Sequence, residues 1–164
     1  MKVRTFDFVA ERYLKKPTKF GGKKSQQAVD VTEWMSERWK GVNVNDIDAE
    51  ALRRIRAADV LLQERWPEAE EPREWEGVTM NAHGRLTELH IHGPGYAPGR
   101  CVETLDPAIG SCLGLTELNL EGNSLKDINP LRWCVALTKL DLSLNNMEDI
   151  NPLGSCVALT TLKL

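Results

Sequence analysis

Residues 115–136 (LTELNLEGNSLKDINPLRWCVA) align without a gap on residues 137–158 (LTKLDLSLNNMEDINPLGSCVA), and a third copy opens at Leu159. Leucine recurs at 115, 137 and 159, at 118, 140 and 162, and at 120, 142 and 164. Asn123 and Asn145, Ile128 and Ile150, Pro130 and Pro152, and Cys112, Cys134 and Cys156 keep the same step of 22 residues. A fixed period of this length marks a chain built of stacked coils, and it outranks local propensity in deciding the fold. Within each copy the two-residue pleat of a strand turns Leu118 and Leu120 inward and Glu117, Asn119 and Glu121 outward. One coil cannot cover its own apolar edge, whereas stacked coils bury a continuous one and set their strands side by side in parallel. Asn123 and Asn145 follow the strands, where an inward amide satisfies backbone groups of adjacent coils, so their role is structural. The proline in each DINPL stretch (127–131 and 149–153) predicts a short turn or 3₁₀ segment on the convex side.

The pattern LxxLxLxxNxLxxIxxLxxC resembles the leucine-rich repeat family, and in particular its 22-residue class. The resemblance covers residues 86–164, about half of the chain. A longer copy of 29 residues runs from Leu86; it keeps Leu89, Ile91, Leu105, Pro107 and Cys112 but has Pro94 at the asparagine position and an enlarged HGPGYAPGR loop. Trp75, Gly77, Val78 and Thr79 are similar to the amino-terminal cap of plant-type members, CxWxGVxC, with Arg73 and Met80 at the two cysteine positions. The cap disulfide therefore cannot form, which favours a reducing, cytoplasmic setting, and the absence of an NxS/T sequon points the same way. Gly77–Met80 is expected to form a strand, Asn81–Gly84 a hairpin turn and Arg85–Ile91 the return strand. The expected fold is an α/β solenoid: leucine-rich repeats with a parallel concave sheet, preceded by a helical amino-terminal cap.

Charge divides the chain in the same way. Residues 1–24 carry eight basic against two acidic side chains, residues 25–76 seven against thirteen, and residues 77–164 six against nine. The expected organisation is a basic tail over 1–25 with a possible short amphipathic helix over 5–15, a helical cap over 26–76, and about three and a half coils over 77–164. In the cap, Leu52, Ile55, Ala58, Val60, Leu61 and Leu62 predict one helix that begins after Asp48 and ends before Pro67. Asp30 and Glu33 resemble a capping box for a shorter helix ending near Trp39. Trp34, Trp39, Trp66 and Trp75 are expected to pack against the cap or a neighbouring domain. The chain stops three residues into a strand, so a continuing array and a truncated carboxyl end are expected. No window approaches the roughly eighteen apolar residues of a membrane-spanning helix.

Catalytic chemistry finds little support. GGKKS at 21–25 fails the phosphate-loop pattern because Pro17 replaces its first glycine and Lys24 its hydroxyl. Gly93, Gly95 and Gly99 have the wrong spacing for a dinucleotide loop, and two prolines stand where a helix would start. Cys112, Cys134 and Cys156 recur once per coil and read as reduced core residues, while Cys101 lies in the enlarged loop and is expected to be exposed. No metal, cofactor or small-molecule substrate is expected, and the chain reads as non-catalytic.

What remains is a surface. Alternation places three columns on the concave face: Glu88, Glu117, Lys139 and Thr161; His90, Asn119, Asp141 and Lys163; His92, Glu121 and Ser143. The candidate partner-binding residues are Glu88, His90, His92, Glu117, Asn119, Glu121, Lys139, Asp141 and Ser143. The His90–His92 pair beside the acids of the next strand has the composition of a metal or proton-responsive contact, although polar outward residues are what any such sheet displays. The acidic bias near the amino end fits a basic or amide-rich protein surface. The expected function is therefore a protein-interaction scaffold. The alternative, in a different class, is a tether through residues 1–24, whose basic side chains with Phe6, Phe8 and Phe20 suit an anionic membrane surface or nucleic-acid phosphates.

Overall fold

Five strands lie in chain order in one sheet: β1 (Val78–Met80), β2 (Leu86–His90), β3 (Glu117–Asn119), β4 (Lys139–Asp141) and β5 (Thr161–Lys163). This computed structural model describes residues 46–95 and 100–164, and all of these from Asp48 onward belong to one compact unit, Asp48–Leu164. The 5–15 helix, the GGKKS link, the Asp30–Glu33 capping box, Trp34 and Trp39 lie outside the described residues.

β1 and β2 pair antiparallel as the hairpin predicted by the sequence, and every later pair is parallel. The ladder follows the repeat: Leu89 pairs with Leu118, Leu118 with Leu140 and Leu140 with Leu162. Leu89, Leu118 and Leu140 are buried together with Ile91, Leu120 and Leu142, so each strand gives one face to a shared apolar interior. On the opposite side the chain turns through 3₁₀ segments at Pro107–Ser111, Asn129–Trp133 and Asn151–Ser155, each with proline in its first turn. Asp127 and Asp149 open the last two by accepting the N–H of Asn129 and Asn151, both at 2.8 Å.

Two polar ladders join the coils. The Asn123 amide donates to the carbonyls of Ile91 (2.7 Å) and Leu120 (2.9 Å), and its oxygen accepts from the Val102 N–H at 3.0 Å. Asn145 repeats this one coil on, donating to Leu120 (2.8 Å) and Leu142 (3.0 Å) and accepting from Leu125 at 3.0 Å. Each amide thus closes its own turn and ties it to the coil before. The second ladder was not foreseen from the sequence. The hydroxyls of Thr116, Thr138 and Thr160 each donate to the carbonyl of the threonine one coil earlier, at 3.0, 2.9 and 3.0 Å.

Close approach explains a pair of glycines. A Cβ at Gly93 would collide with the Gly122 carbonyl, and Gly122 itself sits at φ +74°. Leu144, the repeat equivalent of Gly122, holds φ +56° with a side chain, a left-handed conformation that costs roughly 1–2 kcal/mol in a non-glycine residue.

The structure corrects three expectations. The predicted single helix is two: α1 (Ile47–Ala58) and α2 (Val60–Arg65). The break is Asp59, whose carboxylate accepts the N–H groups of Leu61 (2.8 Å) and Leu62 (3.2 Å) and so caps α2 in extended backbone instead of continuing α1. Ala58 and Val60 are consequently exposed and drop out of the buried stripe. Secondly, Asp48 lies within α1, fully buried, where its Oδ2 accepts from Arg85 Nε at 2.9 Å and from the Leu86 N–H at 2.8 Å. It fastens the cap helix to the first repeat strand. Thirdly, Cys101 is buried, its thiol donating to the Gly95 carbonyl at 2.9 Å. Trp66 and Trp75 stack on each other at 5.1 Å, with both indole N–H groups on backbone carbonyls.

The asparagine ladder generates a graded expectation. Asn123→Ala leaves the Ile91 carbonyl and the Val102 N–H without partners in a closed interior, the Leu120 carbonyl keeping Asn145, and should cost about 3 kcal/mol of unfolding free energy. Asn145→Ala, at a less buried position, should cost about half as much in the same urea titration. Equal losses, or none, would contradict the bridging role.

Candidate functional site

The outward residues of the sheet stand in the columns expected from alternation. Glu88 pairs in register with Glu117, Glu117 with Lys139 and Lys139 with Thr161; His90 pairs with Asn119, Asn119 with Asp141 and Asp141 with Lys163. The third column continues past the strands through backbone bonds from Gly93 to Glu121 and from Gly122 to Ser143, both 2.9 Å. A shallow depression of about 200 Å³ lies between the first two columns, floored by Leu118 and Leu140 and walled by His90, Glu117, Asn119, Lys139, Asp141 and Lys163.

The charges on this face are not equally available. Lys139 Nζ donates to Glu117 at 2.6 Å and Lys163 Nζ to Asp141 at 2.8 Å, so two acids are engaged by the lysine one coil on. These hydrogen bonds raise both ammoniums above their ordinary value. For Asp141, burial pushes the carboxyl up, but hydrogen bonds from Lys163 and from Ser143 outweigh it and hold the group below its usual range. Asn119 and Asp141 also accept the N–H two residues on, from Glu121 at 2.9 Å and Ser143 at 3.1 Å. Among the nine candidate residues, Glu117, Asn119, Lys139 and Asp141 are therefore bound up with the sheet itself. Glu88 and Glu121 are half-buried and have no ion pair in the described face. The rings of His90 and His92 meet edge to face at 5.9 Å.

Lys163 and Thr161 line the same depression and join the nine, and Leu144 lies exposed one residue past Ser143. Lys163 was legible in the repeat, because it stands 22 residues after Asp141 just as Lys139 stands 22 after Glu117. Leu144 was legible too, as the leucine that replaces Gly122 in the alignment; it is 47% exposed.

A second cavity of about 520 Å³ lies where α2 meets the first repeat, lined by Leu61, Arg65, Glu76, His92, Pro94 and Arg100 among others. Arg65 crosses it, donating to the His92 carbonyl at 2.9 Å and pairing with Glu76 at 3.4 Å. Among the described residues no three His, Cys, Asp or Glu side chains converge as metal ligands. Burial pushes the thiols of Cys112, Cys134 and Cys156 up, which disfavours the reactive thiolate.

The Lys163–Asp141 bond carries a pH signature. Because the folded-state pKa of Asp141 is lowered, the stability it contributes is present above its unfolded value of 3.8 and is lost as pH falls through the folded value. Lys163→Met should raise the Asp141 midpoint in a carboxyl NMR titration and lower stability at neutral pH, with the difference vanishing near about pH 2. A loss of equal size at both pH values would make Lys163 a packing residue instead.

No family model matches the chain, and no curated protein matches its sequence. Solved structures do match in fold. A plant ice-binding protein is similar at 19% identity and a TM-score of 0.58, over 73% of this chain and 40% of that one. PEPR1–AtPEP1 is similar at 24% identity and a TM-score of 0.56, over 73% of this chain and 18% of that one. The LRR ectodomain of the receptor kinase SOBIR1 from Arabidopsis thaliana is similar at 23% identity and a TM-score of 0.51, over 73% and 66%. The chain thus spans less than two thirds of the length of each, and at these identities the likeness is one of fold. The chain folds as an α/β solenoid of leucine-rich repeats, its parallel sheet forming the concave side.

Proposed function

We propose that this chain is a non-catalytic interaction module that binds a protein partner on the concave face, at a surface of the partner that is basic or rich in amides. The observation that carries this reading is the register of the sheet, which aligns outward polar side chains in columns across four parallel coils and leaves Glu88 and Glu121 without an ion pair among the described residues. Complementary charge of this kind acts chiefly on orientation and association rate. Leu144, exposed one residue past Ser143 in a strained conformation, adds an apolar contact beside the polar field. The reading is supported in a general way by fold neighbours such as PEPR1–AtPEP1, a structure of PEPR1 with AtPEP1. A reducing, cytoplasmic setting is part of the proposal, supported by Arg73 and Met80 at the positions where the resembling cap carries its cysteines.

The test uses a fluorescent hexa-arginine peptide and the full chain at low ionic strength. Glu88→Lys with Glu121→Lys should weaken binding about ten-fold or more, while Glu148→Lys with Asp149→Lys, outside the columns, should change it little. Equal effects from the two pairs would move the interface off the concave face.

A second reading rests on the excess of six positive charges in residues 1–24, which lie outside the described residues. Under it, deleting residues 1–24 abolishes retention on vesicles containing phosphatidylserine at low salt, whereas under the first reading retention is weak before and after the deletion.

A further inference from the structure

We infer that proton uptake by His90 and His92 gates capture of a cationic partner on the concave face, an inference that rests on the reading of that face given above. The two imidazoles meet edge to face at 5.9 Å at the end of the strand that carries Glu88, His90 on it and His92 two residues beyond, and His92 shares a column with Glu121. Side chains two apart on one strand share a face, and neighbouring strands lie about 4.8 Å apart, so both rings stand within one or two positions of both unpaired carboxylates.

The charges that face this pair from each surrounding element nearly cancel, apart from those two acids. β1 contributes none, since Val78, Thr79 and Met80 are neutral, and Gly77 gives only its carbonyl, to the His90 N–H at 2.8 Å. From β3 and β4 come Glu117, held by Lys139, and Asp141, held by Lys163 on β5. These lysines also sense Glu88 and Glu121 respectively at longer range. From the cap side Arg65 pairs with Glu76, while Glu64 and Arg100, of opposite sign, line the same cavity as His92. Glu88 and Glu121 are left without an ion pair among the described residues, the attraction of Lys139 and Lys163 reaching them only at longer range. Two imidazolium ions would offset the charge of these two acids.

Imidazoles change charge between pH 5 and 8, where carboxylates keep theirs. Proton uptake by the pair therefore weakens the attraction of the face for a cation. A metal offers no competing explanation for the cluster, since no three ligating side chains converge there among the described residues.

The experiment measures binding of the fluorescent hexa-arginine peptide to the full chain by anisotropy at pH 7.5 and pH 5.5 at one ionic strength. The dissociation constant should rise about five-fold at the lower pH. His90→Gln with His92→Gln should hold the ratio of the two constants near one, whatever its affinity. A ratio near one in the unaltered chain, or a five-fold ratio surviving in the double variant, overturns the gate. The failure of the underlying reading looks different: Glu88→Gln with Glu121→Gln then leaves binding at pH 7.5 unchanged, or the peptide does not bind at pH 7.5 at all, and the gate falls with it. Circular dichroism of each variant at both pH values confirms that a folded chain is being compared.

Discussion

The buried side-chain amide of Asn123 is the bond on which the stacking depends. A coil of this kind leaves backbone carbonyls and N–H groups pointing into an interior that water does not reach, and an unpaired group there costs about 1–3 kcal/mol. Leucines supply the attraction between coils but no direction, since apolar burial is indifferent to register. The amide is directional: it reaches the carbonyls of Ile91 in one coil and Leu120 in the next, and takes the N–H of Val102. Asn145 does the same one step on, and the threonine hydroxyls repeat the tie at the other end of each strand. Register is thereby fixed at both ends. Fixed register is what places Glu88 beside Glu117 and His90 beside Asn119, and so makes a surface out of residues far apart in the chain.

Much of this was legible because the period is also a contact rule. In a stack of 22-residue coils, residue i touches residue i+22, so the sequence already contains Glu117 with Lys139, Asp141 with Lys163 and Thr116 with Thr138. The parallel order of the strands, the inward asparagines and the 3₁₀ turns follow from the same arithmetic. Outside the repeat the rule gives nothing, and there the sequence misled. Asp59 lies inside an apolar pattern that suits one helix, and only the competition of its carboxylate for the N–H groups of Leu61 and Leu62 ends that helix. Asp48 looks like a helix-capping acid, yet it is buried because Arg85 and the Leu86 N–H, 37 and 38 residues away, receive it. Cys101, assigned to an exposed loop, is buried with its thiol against the carbonyls of Gly95 and Gly122. The Asp48 and Cys101 misses are long-range pairings that no local pattern records, whereas Asp59 is a local cap hidden inside an apolar pattern.

The outward columns of the candidate site were legible in the sequence, whereas the charges that the fold itself engages were not. Alternation identified all nine outward residues, but it could not say which charges the fold itself consumes. Glu117 and Asp141 are engaged by lysines, and Asn119 and Asp141 hold the turn that follows their own strands. Under the proposed reading, the charge open to a partner is concentrated at Glu88 and Glu121, on the same face as the two histidines. That shifts the expected footprint toward the amino end of the sheet, close to the cap that Asp48 fastens in place.

The claim beneath all of this is that the strands beginning near Leu86, Leu115, Leu137 and Leu159 run the same way, one coil apart. Cross-strand nuclear Overhauser contacts in the isotopically labelled chain test it most directly. The account predicts amide-to-α-proton contacts joining Glu88 to Glu117, Glu117 to Lys139 and Lys139 to Thr161, with slow amide exchange at Leu120 and Leu142. Close pairs of α-protons between these strands, the mark of an antiparallel ladder, would contradict it.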